Sequence, residues 1–186
     1  MEILTKENLR LRYDEVLEKI KDGVIFIYPT DTIYGIGCNA LNKKAIEKIR
    51  TIKGRPDSPL SIWVPSIKWI KTNCDTKKAQ GWLQKLPGPY TLILPLKNKN
   101  AVAENVTLTD SIGVRLPDHW FKKVVEDLNF PIITTSANRA GEPFMTSLEM
   151  LEPNIEKEVE LMIYEGEKTG HPSKLIHIDK EEVIER

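Results

Sequence analysis

The sequence predicts an α/β fold with an open, mixed sheet and helices packed on it. Short apolar stretches of strand length alternate along the chain with segments whose apolar residues repeat at helical spacing. Several predicted strands also end in polar or cationic loops, after Tyr28, near Arg115 and after Thr135. In open α/β sheets the ligand crevice lies beyond such strand ends, so the pattern predicts a ligand site where these loops converge.

The first half of the chain predicts two helices and two strands. Apolar residues at Val16, Leu17 and Ile20 form a helical stripe, and the continuous apolar run that follows is typical of a strand buried on both faces. In order, the segments are a helix over Tyr13–Lys21 ended by Gly23, a strand over Val24–Tyr28, a polar loop over Pro29–Gly37, a helix capped by Asn42 with Ala45, Ile46, Ile49 and Ile52 on one face, and a strand over Leu60–Val64.

The second half continues the alternation. Pro87-Gly88-Pro89 stops one helical segment, and β-branched and apolar residues mark the strands. The segments are a helix within Asp75–Leu86, a strand over Tyr90–Leu96, a loop over Asn98–Asp110, a strand over Ile112–Pro117, a helix over Trp120–Leu128, a strand over Pro131–Thr135, a short helix from a Ser147 cap through Leu151, and closing strands over Leu161–Tyr164 and Leu175–Ile178.

Length and composition indicate an ordinary globular protein, which we expect to form one domain over residues 1–186. Basic and acidic residues number 27 each, a balance that disfavours a generally basic nucleic-acid coat. Cys38 and Cys74 stand apart, and the three histidines have no metal-ligand spacing, so no protein metal site is expected. Without a membrane-length apolar run or a signal-peptide core, the expected location is the cytoplasm, with no membrane contact.

The functional interpretation starts from the segment Lys53-Gly54-Arg55-Pro56. Two cations two residues apart in a tight loop project to the same side of the chain. Lysine supplies a point charge and arginine a planar fork, a combination suited to phosphate or carboxylate oxygens. A K-x-R triplet is common on solvated loops, however, and taken alone it favours that simpler reading.

Three segments in a fixed order make the reading more specific: Pro29-Thr30-Asp31-Thr32-Ile33-Tyr34-Gly35, Lys53-Gly54-Arg55-Pro56 and Ser136-Ala137-Asn138. Pro87-Gly88-Pro89-Tyr90-Thr91 and Val114-Arg115-Leu116-Pro117 lie between them. With these motifs the chain resembles the YrdC-like family of threonylcarbamoyl-AMP synthases, from about Tyr13 to about Asp179. The resemblance implies a twisted α/β sheet with a central cavity, similar to YrdC and DHBP synthase.

The resemblance also implies a nucleotidyltransferase. Such an enzyme joins L-threonine, bicarbonate and ATP into threonylcarbamoyl-adenylate and pyrophosphate. A tRNA-modifying threonylcarbamoyl transferase complex would receive the adenylate, and an RNA contact of the chain itself is a further option. Mg²⁺ would bridge the ATP phosphates, held mainly by phosphate and water because it dehydrates reluctantly.

Site residues follow from the same motifs. Fixed cations must neutralise the repulsion between an anionic carbamate and an anionic nucleotide, so Lys53 and Arg55 are the expected catalytic residues. ATP-binding is expected at Lys53, Arg55, Ser111, Asn138 and Thr146. Threonine-binding is expected at Thr30, Tyr34, Arg115, Ser136 and Ser173, with Arg115 as a carboxylate or phosphate clamp.

Most of these residues have a structural alternative. Ser136-Ala137-Asn138 is also a normal strand-to-helix turn, and Thr30 and Thr32 are also normal turn residues that bond their own backbone. Tyr34 fits core packing equally well. Arg115 could form an ion pair with Asp118 or Glu126, and His171 and Ser173 fit an exposed segment near a chain end.

The chain also departs from the family pattern. Asp31 stands where the family usually has Glu, Lys174 stands where Thr is frequent, and no additional domain is expected after Asp179. Asp31 and Lys174 keep open a paralogue that hydrolyses a carbamoyl-adenylate. An RNA-binding module is the other alternative, and it predicts salt-dependent RNA binding without turnover.

Overall fold

A computed structural model describes residues 1–185. It contains one mixed ten-stranded sheet with the order β1-β8-β2-β3-β7-β4-β6-β5-β9-β10. The strands are β1 (Glu2–Leu4), β2 (Phe26–Tyr28), β3 (Gly35–Gly37), β4 (Ser61–Trp63), β5 (Tyr90–Pro95), β6 (Ser111–Arg115), β7 (Ile132–Ser136), β8 (Leu161–Ile163), β9 (Lys174–His177) and β10 (Glu182–Ile184). The predicted open, mixed α/β architecture is confirmed.

Seven α-helices accompany the sheet in the described part of the chain. They are α1 (Lys6–Leu11), α2 (Tyr13–Asp22), α3 (Lys43–Lys53), α4 (Ile67–Asn73), α5 (Gln80–Leu83), α6 (Lys122–Leu128) and α7 (Pro153–Glu158). Helix α2 contacts α6, and α3 contacts α7. Within residues 1–185, none of the helices combines the length and the apolar character that crossing a bilayer requires.

An aromatic cluster at the centre of the sheet fixes the strands that carry the site. Tyr28 stacks on Phe121 with ring centroids 5.2 Å apart, and Trp63 lies 5.8 Å from both rings. The Tyr28 hydroxyl donates to the backbone oxygen of Ile133 at 2.8 Å, which satisfies it inside the core. The cluster therefore joins β2, β4 and β7 to Phe121, the residue that precedes α6.

Two caps confirm the sequence reading of the first helices. Helix α2 ends at Gly23, whose φ of 92° is left-handed and suits glycine. The side chain of Asn42 accepts a hydrogen bond from the Ala45 backbone nitrogen and begins α3.

Other elements differ from the prediction. The predicted loop over Pro29–Gly37 contains β3, which pairs with β2 and β7 on its two sides. The helix predicted within Asp75–Leu86 is reduced to α5, whereas α4, α7, β1, β10 and α1 were not predicted. Ser147 makes no side-chain cap, and the short helix after it is a 3-10 turn over Leu148–Met150.

Candidate functional site

A cavity of about 350 Å³ opens where β3, β4, β6 and β7 meet. Its walls are rich in hydroxyls and carry two guanidinium groups. The lining residues are Ile33, Tyr34, Gly35, Arg55, Pro59, Leu60, Ser61, Thr91, Arg115, Thr134, Thr135, Ser136, Asn138, Phe144, Pro172 and Ser173. Six residues selected from the sequence are thus brought together here: Tyr34, Arg55, Arg115, Ser136, Asn138 and Ser173.

The K-x-R segment begins at the last residue of α3. Lys53 ends the helix, Gly54 adopts a left-handed φ of 63° as its cap, and Arg55 follows. A cation at a helix C-terminus is favoured by the helix dipole. Arg55 lines the cavity, whereas Lys53 is 2% exposed and does not belong to the lining, so the two cations do not share the cavity as the sequence predicted.

Lys53 is held by the turn that follows β7. Its ammonium nitrogen donates to the backbone oxygens of Ser136 at 2.6 Å and Asn138 at 2.5 Å, and to Oδ1 of Asn138 at 2.8 Å. Burial, with a further contribution from the charge of Arg55, lowers the pKa of Lys53 to about 7. The K-x-R and S-x-N motifs are therefore one physical unit, in which Lys53 lies behind the cavity wall.

Arg50 organises the same segment, although the sequence reading did not select it. Arg50 is 8% exposed as a whole residue. Its guanidinium donates to five backbone oxygens. The acceptors are those of Arg55, Pro56, Ser58, Asn105 and Val106, at 2.7 to 3.4 Å. The planar fork of arginine suits this convergence of carbonyls, which fixes the loop that carries Arg55.

Arg115 forms a buried ion pair with Asp31. Its Nη2 lies 3.1 Å from Oδ1 of Asp31, with the two side chains 9% and 10% exposed. The ion pair considered from the sequence joined Arg115 to Asp118 or Glu126, and Asp31 was not predicted as its partner. Asp118 contributes through its backbone nitrogen, which donates to Oδ2 of Asp31 at 3.0 Å.

Thr30 and Thr32 build the turn that presents Asp31. The Thr30 hydroxyl donates to the Ile33 oxygen at 2.7 Å and accepts from the Thr32 nitrogen at 3.1 Å. Thr30 is completely buried and does not belong to the cavity lining. These contacts fit the alternative in which Thr30 and Thr32 are turn residues that bond their own backbone, and not a direct contact with substrate.

Tyr34 is a core residue whose ring also reaches the cavity. Its hydroxyl donates to the Gly166 oxygen at 2.7 Å and accepts from the Glu165 nitrogen at 3.0 Å. Burial raises the pKa of Tyr34 to about 12, so the phenol stays protonated at neutral pH. Tyr34 therefore attaches the start of the 165–173 segment to β3.

The carboxylate of Glu165 anchors that segment further. It accepts hydrogen bonds from His119 at 2.9 Å, from Trp120 at 2.5 Å and from Lys168. The Phe121 nitrogen donates to Nδ1 of His119, which places the ring proton on Nε2, facing Glu165. Burial lowers the pKa of His119, in keeping with a neutral ring.

The far end of the 165–173 segment forms one wall of the cavity. The Ser173 hydroxyl lies 2.7 Å from that of Thr91, and Ser173 is 2% exposed. The alternative that placed Ser173 on an exposed segment is wrong, although His171 is exposed. A Cβ on Gly170 would lie 2.3 Å from the Thr32 oxygen, so the segment needs glycine where it passes this turn.

Besides Lys53 and Thr30, two further predicted site residues, Ser111 and Thr146, do not belong to the cavity lining. Ser111 begins β6, four residues before Arg115, and its backbone oxygen accepts from Thr107 and Thr109. The Thr146 hydroxyl contacts the sulfur of Met150 at 3.1 Å. In turn, the sequence reading missed the lining residues Ser61, Thr91, Thr134, Thr135 and Phe144, since nothing local distinguishes a strand hydroxyl that faces a cavity.

Comparison with known proteins identifies relatives over nearly the whole chain. The family Sua5_yciO_yrdC, described as telomere recombination, matches residues 18–186. A Methanocaldococcus jannaschii protein provisionally named as a threonylcarbamoyl-AMP synthase is 37% identical, over 96% of this chain and 86% of its own length. The Vibrio campbellii threonylcarbamoyl-AMP synthase is 31% identical, over 88% of this chain and 92% of its own.

A solved structure of a relative has the same fold. The crystal structure of Pyrococcus abyssi Sua5 complexed with L-threonine superposes with a TM-score of 0.84 at 29% identity. The match covers 95% of this chain and 54% of that protein, so this chain spans about half of its length.

Proposed function

The chain belongs to the Sua5_yciO_yrdC family, and on that basis we propose that it is a threonylcarbamoyl-AMP synthase. The observation that carries the proposal is the cavity that holds Arg55 and Arg115 among hydroxyl groups. Two guanidinium groups in one cavity suit a reaction between two anions, because the repulsion between the two anions is the main barrier to aligning them.

The reaction joins three substrates. The amine of L-threonine and bicarbonate form a carbamate and release water. A carbamate oxygen then attacks the α-phosphorus of ATP, the bond from that phosphorus to the oxygen bridging to the β-phosphate breaks, and pyrophosphate leaves. Aligning the carbamate with the α-phosphorus supplies most of the catalysis of the second step, since that step requires no proton transfer.

Residue roles follow from position. Arg55 binds phosphate oxygens, and Ser136 and Asn138 of the same cavity lining contribute polar contacts. Arg115 receives the threonine carboxylate, and Tyr34 and Ser173 contribute to the wall around the amino acid. Lys53 acts by holding the Ser136–Asn138 turn. The proposal gives Thr30, Ser111 and Thr146 no direct contact with substrate.

Mg²⁺ enters the proposal with ATP. Residues 1–185 contain no cluster of three or more His, Cys, Asp or Glu side chains that could hold a metal ion, and the polar side chains of the described cavity lining are hydroxyl, amide and guanidinium groups. The site therefore fits a cation that phosphate oxygens and water coordinate. Bound in that way, Mg²⁺ would offset charge on the phosphates.

The product requires a consumer. A carbamic–phosphoric mixed anhydride hydrolyses readily, so we propose direct use by a tRNA-modifying threonylcarbamoyl transferase in the cytoplasm, where ATP and tRNA are available. An RNA contact of this chain remains part of the proposal only as an aid to that transfer.

Pyrophosphate release tests the proposal. The purified protein is incubated with ATP, Mg²⁺ and bicarbonate, with L-threonine, with L-serine as a competitor, or without amino acid. We expect release that needs both threonine and bicarbonate, and Arg55→Ala should abolish it in a folded protein. Release that ignores threonine, or none from a protein that binds ATP, would contradict the synthase assignment.

A further inference from the structure

The strongest unassigned feature is the carboxylate of Asp31 behind the cavity. It is 10% exposed and pairs with Arg115, which lines the cavity, whereas Asp31 itself does not belong to the lining. A carboxylate in this place can act on substrate only through its partner.

Both oxygens of Asp31 are fixed. Oδ1 contacts Nη2 of Arg115 at 3.1 Å, and Oδ2 accepts from the backbone nitrogen of Asp118 at 3.0 Å. The backbone on either side of Asp31 is held by the hydroxyl of Thr30, which bonds both Thr32 and Ile33. The carboxylate is therefore anchored to two segments before it meets the guanidinium.

The guanidinium is constrained in turn. Its Nη2 lies 3.2 Å from Oγ1 of Thr32 as well as near Asp31, so a single terminal nitrogen is located by two neighbouring residues of one turn. Because guanidinium is planar, fixing the direction of one terminal nitrogen restricts the plane of the whole group. That plane decides whether a carboxylate in the cavity can be met by two parallel N–H groups.

We propose that Asp31 is a positioning residue that sets the plane of Arg115 for the carboxylate of the amino-acid substrate. The inference rests on the proposed function. It makes Asp31 specific for the amino-acid step: loss of the carboxylate weakens threonine binding and leaves ATP binding, which the proposal gives to Arg55, unchanged. A general structural ion pair would instead weaken both.

The test is a double-mutant cycle on substrate affinity. Dissociation constants for L-threonine and for ATP are measured by calorimetry in wild type, Asp31→Asn, Arg115→Lys and the double variant, with melting temperatures recorded alongside. Asp110→Asn is the matched control, since Asp110 forms an exposed pair with Lys99 at 2.6 Å. We expect Asp31→Asn to weaken threonine binding about tenfold or more, the scale of a misplaced binding group. ATP affinity should be unchanged.

Two further variants sharpen the outcome. Asp31→Glu keeps the charge and should restore most of the threonine affinity that Asn loses. In the double variant, Asp31→Asn should add little to Arg115→Lys, because residues that act through one another are not additive. If Asp31→Asn does not fold, Thr32→Val removes the other contact to Nη2 and should weaken threonine binding alone.

Three results would overturn the positioning role. The first is wild-type threonine affinity in Asp31→Asn, or in Thr32→Val if Asp31→Asn does not fold. The second is an equal loss of affinity for threonine and for ATP, and the third is strictly additive effects in the double-mutant cycle. Wild-type protein that fails to bind threonine would overturn the proposed function and this inference with it. The two failures are therefore distinguishable.

Discussion

The ammonium nitrogen of Lys53 lies 2.8 Å from Oδ1 of Asn138, a residue 85 positions later in the chain. The same nitrogen meets the backbone oxygens of Asn138 and Ser136. The end of α3 and the turn after β7 are thereby joined through a single buried cation. Substitutions at Lys53 should consequently act through the shape of the cavity wall.

Lys53→Met tests this connection. Methionine keeps an unbranched side chain, one atom shorter, but leaves the oxygens of Ser136 and Asn138 without their donor. We expect a loss of about 1–3 kcal/mol in the free energy of unfolding at neutral pH, the usual cost of unsatisfied buried acceptors. Denaturant unfolding measures it, and Lys44→Met on the same helix is the exposed control.

The pH dependence of that difference follows from the pKa of Lys53. The folded-state pKa of about 7 lies below the ordinary value of 10.5, so the unfolded chain binds more protons than the folded one between these values. The contribution of Lys53 to stability therefore rises with pH across this window, by at most about 1.4 kcal/mol per pH unit. Parallel stability–pH curves for wild type and Lys53→Met would contradict it.

Arg50→Lys should damage the loop that carries Arg55. An ammonium cannot serve the carbonyls of Pro56, Ser58 and Asn105 in the directions that the guanidinium does. We expect kcat/KM for ATP to fall about tenfold, together with a lower melting temperature. Arg10→Lys, at an exposed position of α1, should change neither, and an active, stable Arg50→Lys would show that the loop holds its shape unaided.

Gly170→Ala should disturb the wall formed by the 165–173 segment. The added methyl group would lie 2.3 Å from the Thr32 oxygen, and a backbone atom cannot yield as a side chain can. We expect a destabilisation of about 1–3 kcal/mol and weaker threonine binding. Gly81→Ala has nothing within 4 Å and lies in α5, so it should be neutral or stabilising by about 0.5–1 kcal/mol. Equal effects of the two substitutions would refute this account.

Glu165→Gln should reduce the sensitivity of the protein to acid. Burial raises the pKa of Glu165, but hydrogen bonds from Lys168, Trp120 and His119 together hold it below 4.5. A carboxyl group whose pKa is lowered by folding stabilises the protein at pH values above its unfolded-state pKa. This stability is lost as the pH falls through the folded-state pKa. The stability advantage of wild type over Glu165→Gln should therefore shrink below about pH 4.5 in urea unfolding. An advantage that stays constant would exclude this carboxylate as a source.

His119 adds to the same acid sensitivity. Burial lowers its pKa below 6.5, so the unfolded chain takes up a proton first as pH falls, and the stability that the neutral ring provides is lost there. Glu165→Gln should not remove this part, because the Glu165 carboxylate raises the pKa of His119 against that lowering.

Local pattern was sufficient for the helices and strands that have strong periodicity. The face of α3 and its Asn42 cap were predicted because propensity, spacing and capping agree there. Strand β3 was not, because Gly35-Ile36-Gly37 has little strand propensity by itself. Close packing requires glycine in this strand, because a Cβ on Gly37 would lie 1.9 Å from the Ile133 oxygen.

The site shows the same division. Motif order identified Arg55, Arg115, Ser136 and Asn138 as members of one site, and they line one cavity. The Asp31–Arg115 pair and the carbonyl ring around Arg50 were not predicted. These contacts join segments far apart in sequence, and single residues carry no local signal of such partners.

Direct detection of the product tests whether this protein forms threonylcarbamoyl-adenylate. The protein is incubated with ATP, Mg²⁺, L-threonine and ¹³C-bicarbonate, and the nucleotide products are analysed by mass spectrometry with Arg55→Ala and Arg115→Ala as controls. We expect threonylcarbamoyl-adenylate that carries the label in its carbamoyl carbon, formed by wild type and lost in both variants. AMP and pyrophosphate without a labelled adenylate, formed equally with and without threonine, would contradict it.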